Sequence, residues 1–126
     1  MKKIISANNA PAAIGPYNHA GVAGNMVFTS GQIGLVPETG KLAEGGVEAQ
    51  AVQALKNLEA VLVASGSSMA DVVKTTVFVK DMNDFAKVNK IYGEAFGDNF
   101  PARSCVEVAK LPAGALVEVE AIGIVK

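Results

Sequence analysis

Residues 72–80, Val72-Val73-Lys74-Thr75-Thr76-Val77-Phe78-Val79-Lys80, set the architecture. Valine and threonine are branched at Cβ and suit a pleated surface, so the stretch reads as a strand. It stands between two segments of helical period. Before it, Ala51, Leu55, Leu58 and Leu62 recur at spacings of four, three and four within residues 47–65. Gln50, Gln53, Lys56 and Asn57 lie off that stripe, Gly45 and Gly46 precede it, and Gly66 ends it. After the strand, Phe85, Val88, Tyr92 and Ala95 or Phe96 form a second stripe, stopped by Gly97 and Pro101. Asp81 or Asn83 can cap its start, because a short side-chain oxygen accepts from free backbone N–H groups.

Further out, residues 22–23 and 26–29 flank Gly24-Asn25, a tight-turn pair consistent with a hairpin. Residues 104–109 and 116–125 read as two more strands joined by a turn around Pro112-Ala113-Gly114. Strands, helix, strand, helix, strands predicts an α+β domain, a mixed sheet with two helices on one face. No repeat or linker divides the chain, so residues 1–126 form one domain. Alternation puts Arg103, Cys105 and Glu107 on one side of their strand, and Ser104, Val106 and Val108 on the other. In the last strand Glu118 and Glu120 oppose Val117, Val119 and Ala121. The apolar sets are expected to face the helices, leaving Arg103, Cys105 and Glu120 on the far face. A hairpin of these two strands would set Cys105 beside Glu120, with Arg103 one step along. It would also bring Glu107 towards Glu118, and both are expected to be solvated or paired with lysines.

Composition narrows the functional classes. The chain has 126 residues, a formal net charge of −1, half of its residues apolar and 18% charged. A domain of this size buries roughly two-thirds of the surface its unfolded chain exposes, so it folds without disulfides or a structural metal. The apolar excess fits either a dense core or a face covered by another subunit. No run of Lys or Arg marks the basic face that a nucleic-acid or anionic-membrane binder needs. The single cysteine, Cys105, excludes an internal disulfide and fits cytosolic residence. The N-terminus begins like a signal peptide, but Asn8, Asn9 and Pro11 interrupt it, and no later stretch is long enough to span a membrane.

One His and one Cys cannot make a zinc site of the usual kind. Neither a phosphate-binding nor a dinucleotide-binding glycine motif is present, and there is no Gly-x-Ser-x-Gly elbow. A Cys–His nucleophile pair would need Cys105 beside His19, which nothing in the pattern provides. An arginine and a glutamate remain. The arginine fork matches a carboxylate, and a carboxylate near a bound water acts as a general base. Together they suffice to add water to an already electrophilic carbon. On residues alone, an Arg and a Glu on adjacent strands more often form a structural salt bridge.

Four blocks resemble the reactive intermediate deaminase (Rid or YjgF) family. They are Gly15-Pro16-Tyr17 with residues 27–32, Asn83-Asp84-Phe85-Ala86-Lys87-Val88-Asn89, residues 101–112 around Pro101-Ala102-Arg103-Ser104-Cys105, and Val119-Glu120-Ala121. They fall in order and cover essentially the whole chain. The resemblance implies a chorismate-mutase-like fold, a homotrimer with sites in clefts between subunits, and no cofactor or metal of its own. It implies hydrolysis of 2-aminoacrylate, 2-aminocrotonate and related enamine or imine acids, made by pyridoxal-phosphate dehydratases, to 2-keto acids and ammonia. Arg103 matches the carboxylate-binding arginine and Glu120 the acid that positions water. Cys105 matches a pocket-lining cysteine, read as a contact and not a nucleophile. Ser30 and Gly31 match the strand end that approaches the ligand. Tyr17 and Asn89 match residues near the site, with interface packing and a helix-flank hydrogen bond as their alternatives. Phe85 reads as core.

Two positions depart from the family pattern. Asn18-His19 replace a common Ser-Gln, and His19 is expected to be a solvated loop residue at the pocket mouth. Gly123 stands where a larger residue is common, which is expected to loosen local packing. Two other functions share these residues: a regulatory protein that binds 2-keto acids without turnover, and an RNA-directed ribonuclease or translation inhibitor. Net charge −1, no Trp and two Tyr give the last little basis.

Overall fold

The computed structural model describes residues 1–126. Its strands are β1 (Lys3–Ile5), β2 (Ala20–Ala23), β3 (Met26–Thr29), β4 (Gln32–Ile33), β5 (Val72–Val79), β6 (Ala102–Glu107) and β7 (Val117–Ile124). Helix α1 (Gly46–Ala64) precedes β5, and α2 (Phe85–Phe96) lies between β5 and β6. The sheet runs β1-β2-β3-β7-β5-β6, with β4 also pairing to β7. The predicted hairpin at Gly24-Asn25 joins β2 and β3, with Gly24 at φ 60°. Both helices pack on one face, as the order of elements predicts.

The expected hairpin of β6 with β7 does not form. β5 lies between them, antiparallel to β7 and parallel to β6. A parallel pair needs a crossover connection, and α2 supplies it. This reverses the expected orientation of β6. Arg103 and Cys105 align with Thr75 and Val77, which align with Ala121 and Val119. Residues directly opposite across a sheet share a face. Arg103 and Cys105 therefore stand on the helix side, while Ser104 and Val106 join Thr76, Phe78, Glu118 and Glu120 on the open side. Glu107, also on the helix side, accepts from the Met82 backbone N–H at 2.8 Å and does not meet Glu118.

The core lies between sheet and helices. Leu58, Val61 and Leu62 of α1 and Val27, Val77 and Val79 of the sheet are almost completely buried. Two residues off the α1 stripe are also buried, because they serve backbone groups. Asn57, 1% exposed, donates to the carbonyls of Ile33 and Leu35 at 3.0 and 2.8 Å. Gln50 accepts from the Leu116 N–H at 2.8 Å. Gly34 lies so close to α1 that a Cβ would sit 2.6 Å from the Gln50 carbonyl. Together these contacts seat β4 between α1 and β7. At Gly123 an added Cβ would sit 3.0 Å from Ser67 Oγ, so the glycine makes room for that hydroxyl, a fit closer than the expected looseness.

Candidate active site: two half-sites on opposite faces of the sheet

The first half-site surrounds Arg103, the only arginine in the chain. β6 presents its side chain to α2, which carries Phe85, Asn89 and Tyr92. Spacings of four and three put these three on one helical face. The guanidinium carbon lies 5.4 Å from the Phe85 ring centroid and 4.8 Å from that of Tyr92. Both rings stabilise the cation through their negative faces. Nη1 donates to Asn89 Oδ1 at 2.7 Å. The Tyr92 hydroxyl is in turn held 2.6 Å from Thr75 Oγ1 on β5. No carboxylate pairs with Arg103; the one ion pair in the chain joins Lys126 to Asp71. A cavity of about 400 Å³ opens here, walled by Asn89, Tyr92, Gly93, Phe100, Pro101 and Arg103. Phe85 is 37% exposed over the guanidinium, not in the core as expected.

The second half-site is a cavity of about 280 Å³ whose walls include Pro11, Ile14, Tyr17, Ser30, Gly31 and Glu118. Ser30 is tied down twice: its Oγ–H donates to the Asn18 carbonyl at 2.6 Å and its N–H to the His19 carbonyl at 2.8 Å. Tyr17 Oη accepts from the Ile14 N–H at 3.3 Å. β4 pairs Ile33 with Glu118, which brings the preceding Gly31 against the Glu118 side chain. A Cβ on Gly31 would lie 2.7 Å from that carboxyl, so only glycine leaves Glu118 its position. Burial first, and then the Glu120 carboxylate two residues on, push the Glu118 carboxyl above the usual glutamate range. A carboxyl so raised holds a proton more readily than an ordinary glutamate, which suits a proton relay.

The structure thus groups Tyr17, Ser30 and Gly31 in one place and Arg103 with Asn89 in another. Glu120 shares the open face with Glu118, opposite Thr76, but does not wall the cavity. Cys105 packs against the core beside Arg103, and burial pushes its thiol up against a smaller opposing pull from Arg103. Such a thiol is a poor nucleophile. His19 is not solvated; it is 5% exposed. Sequence reading passed over the place of Glu118 at the cavity and the stacking of Phe85 and Tyr92 on the Arg103 cation. The spacing of 85, 89 and 92, with one arginine in the chain to face, was the available signal for the latter. No group of three or more His, Cys, Asp or Glu side chains gathers to hold a metal, and no helix is long and apolar enough to cross a membrane.

Residues 7–125 match the family described as Endoribonuclease L-PSP. The chain is 54% identical over 127 residues to a 2-iminobutanoate/2-iminopropanoate deaminase of Salmonella typhimurium, covering 98% of each. It is 51% identical over 122 residues to a RutC family protein of Pyrococcus horikoshii, covering 97% of each. Among solved structures, Escherichia coli TdcF with bound serine superposes with a TM-score of 0.93 at 46% identity, over 98% of this chain and 99% of that one. The YjgF gene product of E. coli gives 0.93 at 51% identity, over 98% and 99%. With fold, motif blocks and nearly the whole length in agreement, the chain belongs to the Endoribonuclease L-PSP family, the YjgF/Rid family that its sequence resembles.

Proposed function

We propose that the protein is a hydrolytic deaminase of small 2-imino and 2-enamino acids, 2-aminoacrylate and 2-aminocrotonate among them, releasing 2-keto acids and ammonia. The observation that carries this reading is Arg103, fixed between two rings with no acidic partner. Its fork fits a carboxylate bidentately. The deaminase relative at 54% identity supports the reaction. The relative with bound serine, itself a carboxylate ligand, supports the ligand class.

The two half-sites face opposite sides of one sheet, so a single chain cannot aim both at one small molecule. We assign the complete site to the junction of two copies in a homotrimer. Arg103, steadied by Asn89, comes from one copy, with Cys105 packed beside it. Tyr17, Ser30, Gly31 and Glu118 come from the other, with Glu118 taking the role expected of Glu120. The open sheet face suits such burial: Ile4, Phe28 and Val106 are 55%, 46% and 43% exposed there. The substrates arise from pyridoxal-phosphate dehydratases in the cytoplasm.

The carboxylate docks on Arg103. An enamine gains a proton at C3 and loses one from nitrogen, giving the imine. Water held by Glu118 bonds to C2 while its proton passes to the carboxylate. The carboxyl returns that proton to nitrogen, giving the C2 hydroxyl and amine; the hydroxyl proton then passes through the same carboxylate to nitrogen, the C2–N bond breaks, and ammonia leaves as C2–O becomes the keto carbonyl. One imine and one water give one keto acid and one ammonia. Imines already hydrolyse in water, so positioning and one proton relay suffice.

Coupling the protein to a serine or threonine dehydratase tests this reading. Keto-acid release accelerates with the native chain, and Arg103→Ala lowers kcat/KM by about 100-fold or more. Arg103→Lys does not restore it, since an ammonium lacks the planar fork. No acceleration, or full activity in Arg103→Ala, overturns the assignment. The ribonuclease activity in the family's description calls for a basic face along a phosphate backbone, which one arginine and a net charge of −1 do not supply.

A further inference from the structure

We infer that His19 is a positioning residue, a latch that fixes the distance between the two walls of the Glu118 cavity and thereby sets how tightly substrate is held. The Ala7 backbone N–H donates to Nδ1 at 2.8 Å, and Nε2–H donates to the Pro11 carbonyl at 2.8 Å. A backbone N–H only donates and a carbonyl only accepts. Both bonds therefore form only in the neutral tautomer protonated at Nε2. The His19 main chain also accepts the Ser30 N–H. One residue thus ties the segment carrying Pro11, Ala12 and Ile14 to the strand end carrying Ser30 and Gly31, and both walls belong to the same cavity. Ala10 anchors the same segment in the core, but the only other side-chain hydrogen bond across residues 8–14 is the longer Ile14 to Tyr17 contact at 3.3 Å. The Tyr17 hydroxyl makes that contact, so slack at Pro11 reaches the side chain of a residue that walls the cavity.

Gln and Asn separate the two ends of the latch. A glutamine amide offers an acceptor and a donor across one carbon, as the neutral imidazole does, and can serve both Ala7 and Pro11. An asparagine oxygen reaches the Nδ1 position, but its amide is too short for Pro11. A leucine serves neither. The kinetic part of this inference rests on the imine-hydrolase reading. Amide exchange at Ala7 and Ile14, followed by NMR without substrate, does not.

The expected results are a KM raised about five-fold or more in His19→Leu with kcat within about two-fold, faster exchange at both amides, and recovery of both readouts in His19→Gln. Should the leucine variant fail to fold, His19→Asn shows the raised KM with Ala7 still protected. Native exchange at Ala7 and Ile14 in His19→Leu overturns the latch. So does a KM in His19→Gln as high as in His19→Leu, or a native KM in His19→Asn. If the native protein turns over no imino acid, the function proposed above fails, and the exchange experiment still decides the latch.

Discussion

Glu118 and Glu120 stand two residues apart on one strand face, and only one of them borders the cavity. Alternation cannot distinguish them, because residues at spacing two are equivalent in a strand. β4 distinguishes them: its pairing sets Gly31 against Glu118. The pKa of Glu118 turns this into a prediction. In the proposed reaction water attack requires its ionised form, so the acid limb of kcat/KM is expected above the ordinary glutamate value of about 4.3. Glu120→Gln removes only the smaller of two causes. It moves the limb towards lower pH, short of the ordinary value, and leaves the plateau nearly unchanged. Glu118→Gln lowers kcat/KM about 100-fold or more on the plateau and abolishes the acid limb. The reverse order of losses would return the role to Glu120. The same shift acts on stability. A carboxyl whose folded pKa is raised adds stability at low pH that is lost as pH rises through the folded value, and Glu118→Gln removes that slope from a pH series of urea midpoints.

At the scale of elements, the helices, the β2–β3 hairpin and β5 were legible because each carries its own period or turn. β1 and β4 were not; three and two residues are too few to alternate. The place of β6 was misread for a different reason. Adjacent strands suggest a hairpin, and nothing in residues 102–107 says that the partner lies across α2. The polar residues of α1 were hidden likewise, since their partners are backbone groups 22 to 66 positions away. Asn57 shows what that placement is worth. Its amide serves two carbonyls of the β4 segment and its Oδ1 accepts from Gln53 at 2.9 Å. Asn57→Ala removes a buried donor from both carbonyls, at a cost of about 2–4 kcal/mol. The urea midpoint falls accordingly. β4 loosens from α1, and Gly31 moves with it, so KM rises as well. A surface control such as Lys56→Ala stays within about 0.5 kcal/mol.

Across the whole molecule, the composition already hinted at a second copy. Half of the residues are apolar, and the sheet face away from the helices leaves Phe28, Val106 and Ile4 open to solvent. What composition could not reveal is that the two candidate groups lie on opposite faces of the sheet. Arg103 aligns through Thr75 with Ala121 on one face, and Glu118 aligns with Phe78 on the other. The pairing that overturned the expected hairpin is what separates these two groups within a chain. The proposed division of the site between copies has a consequence that no intact single-chain site shares. In the proposed homotrimer, Arg103→Ala and Glu118→Gln are each expected to inactivate every junction of their own assembly. Mixed randomly in equal amounts, by co-expression or by joint refolding, they form junctions that draw Arg103 from one variant and Glu118 from the other. About one junction in four then carries both groups intact, so activity recovers to about a quarter of the native value. If one chain held the complete site, the mixture would stay as inactive as its components at any ratio. Varying the ratio sharpens the test, because recovery follows the product of the two fractions and peaks at equal amounts.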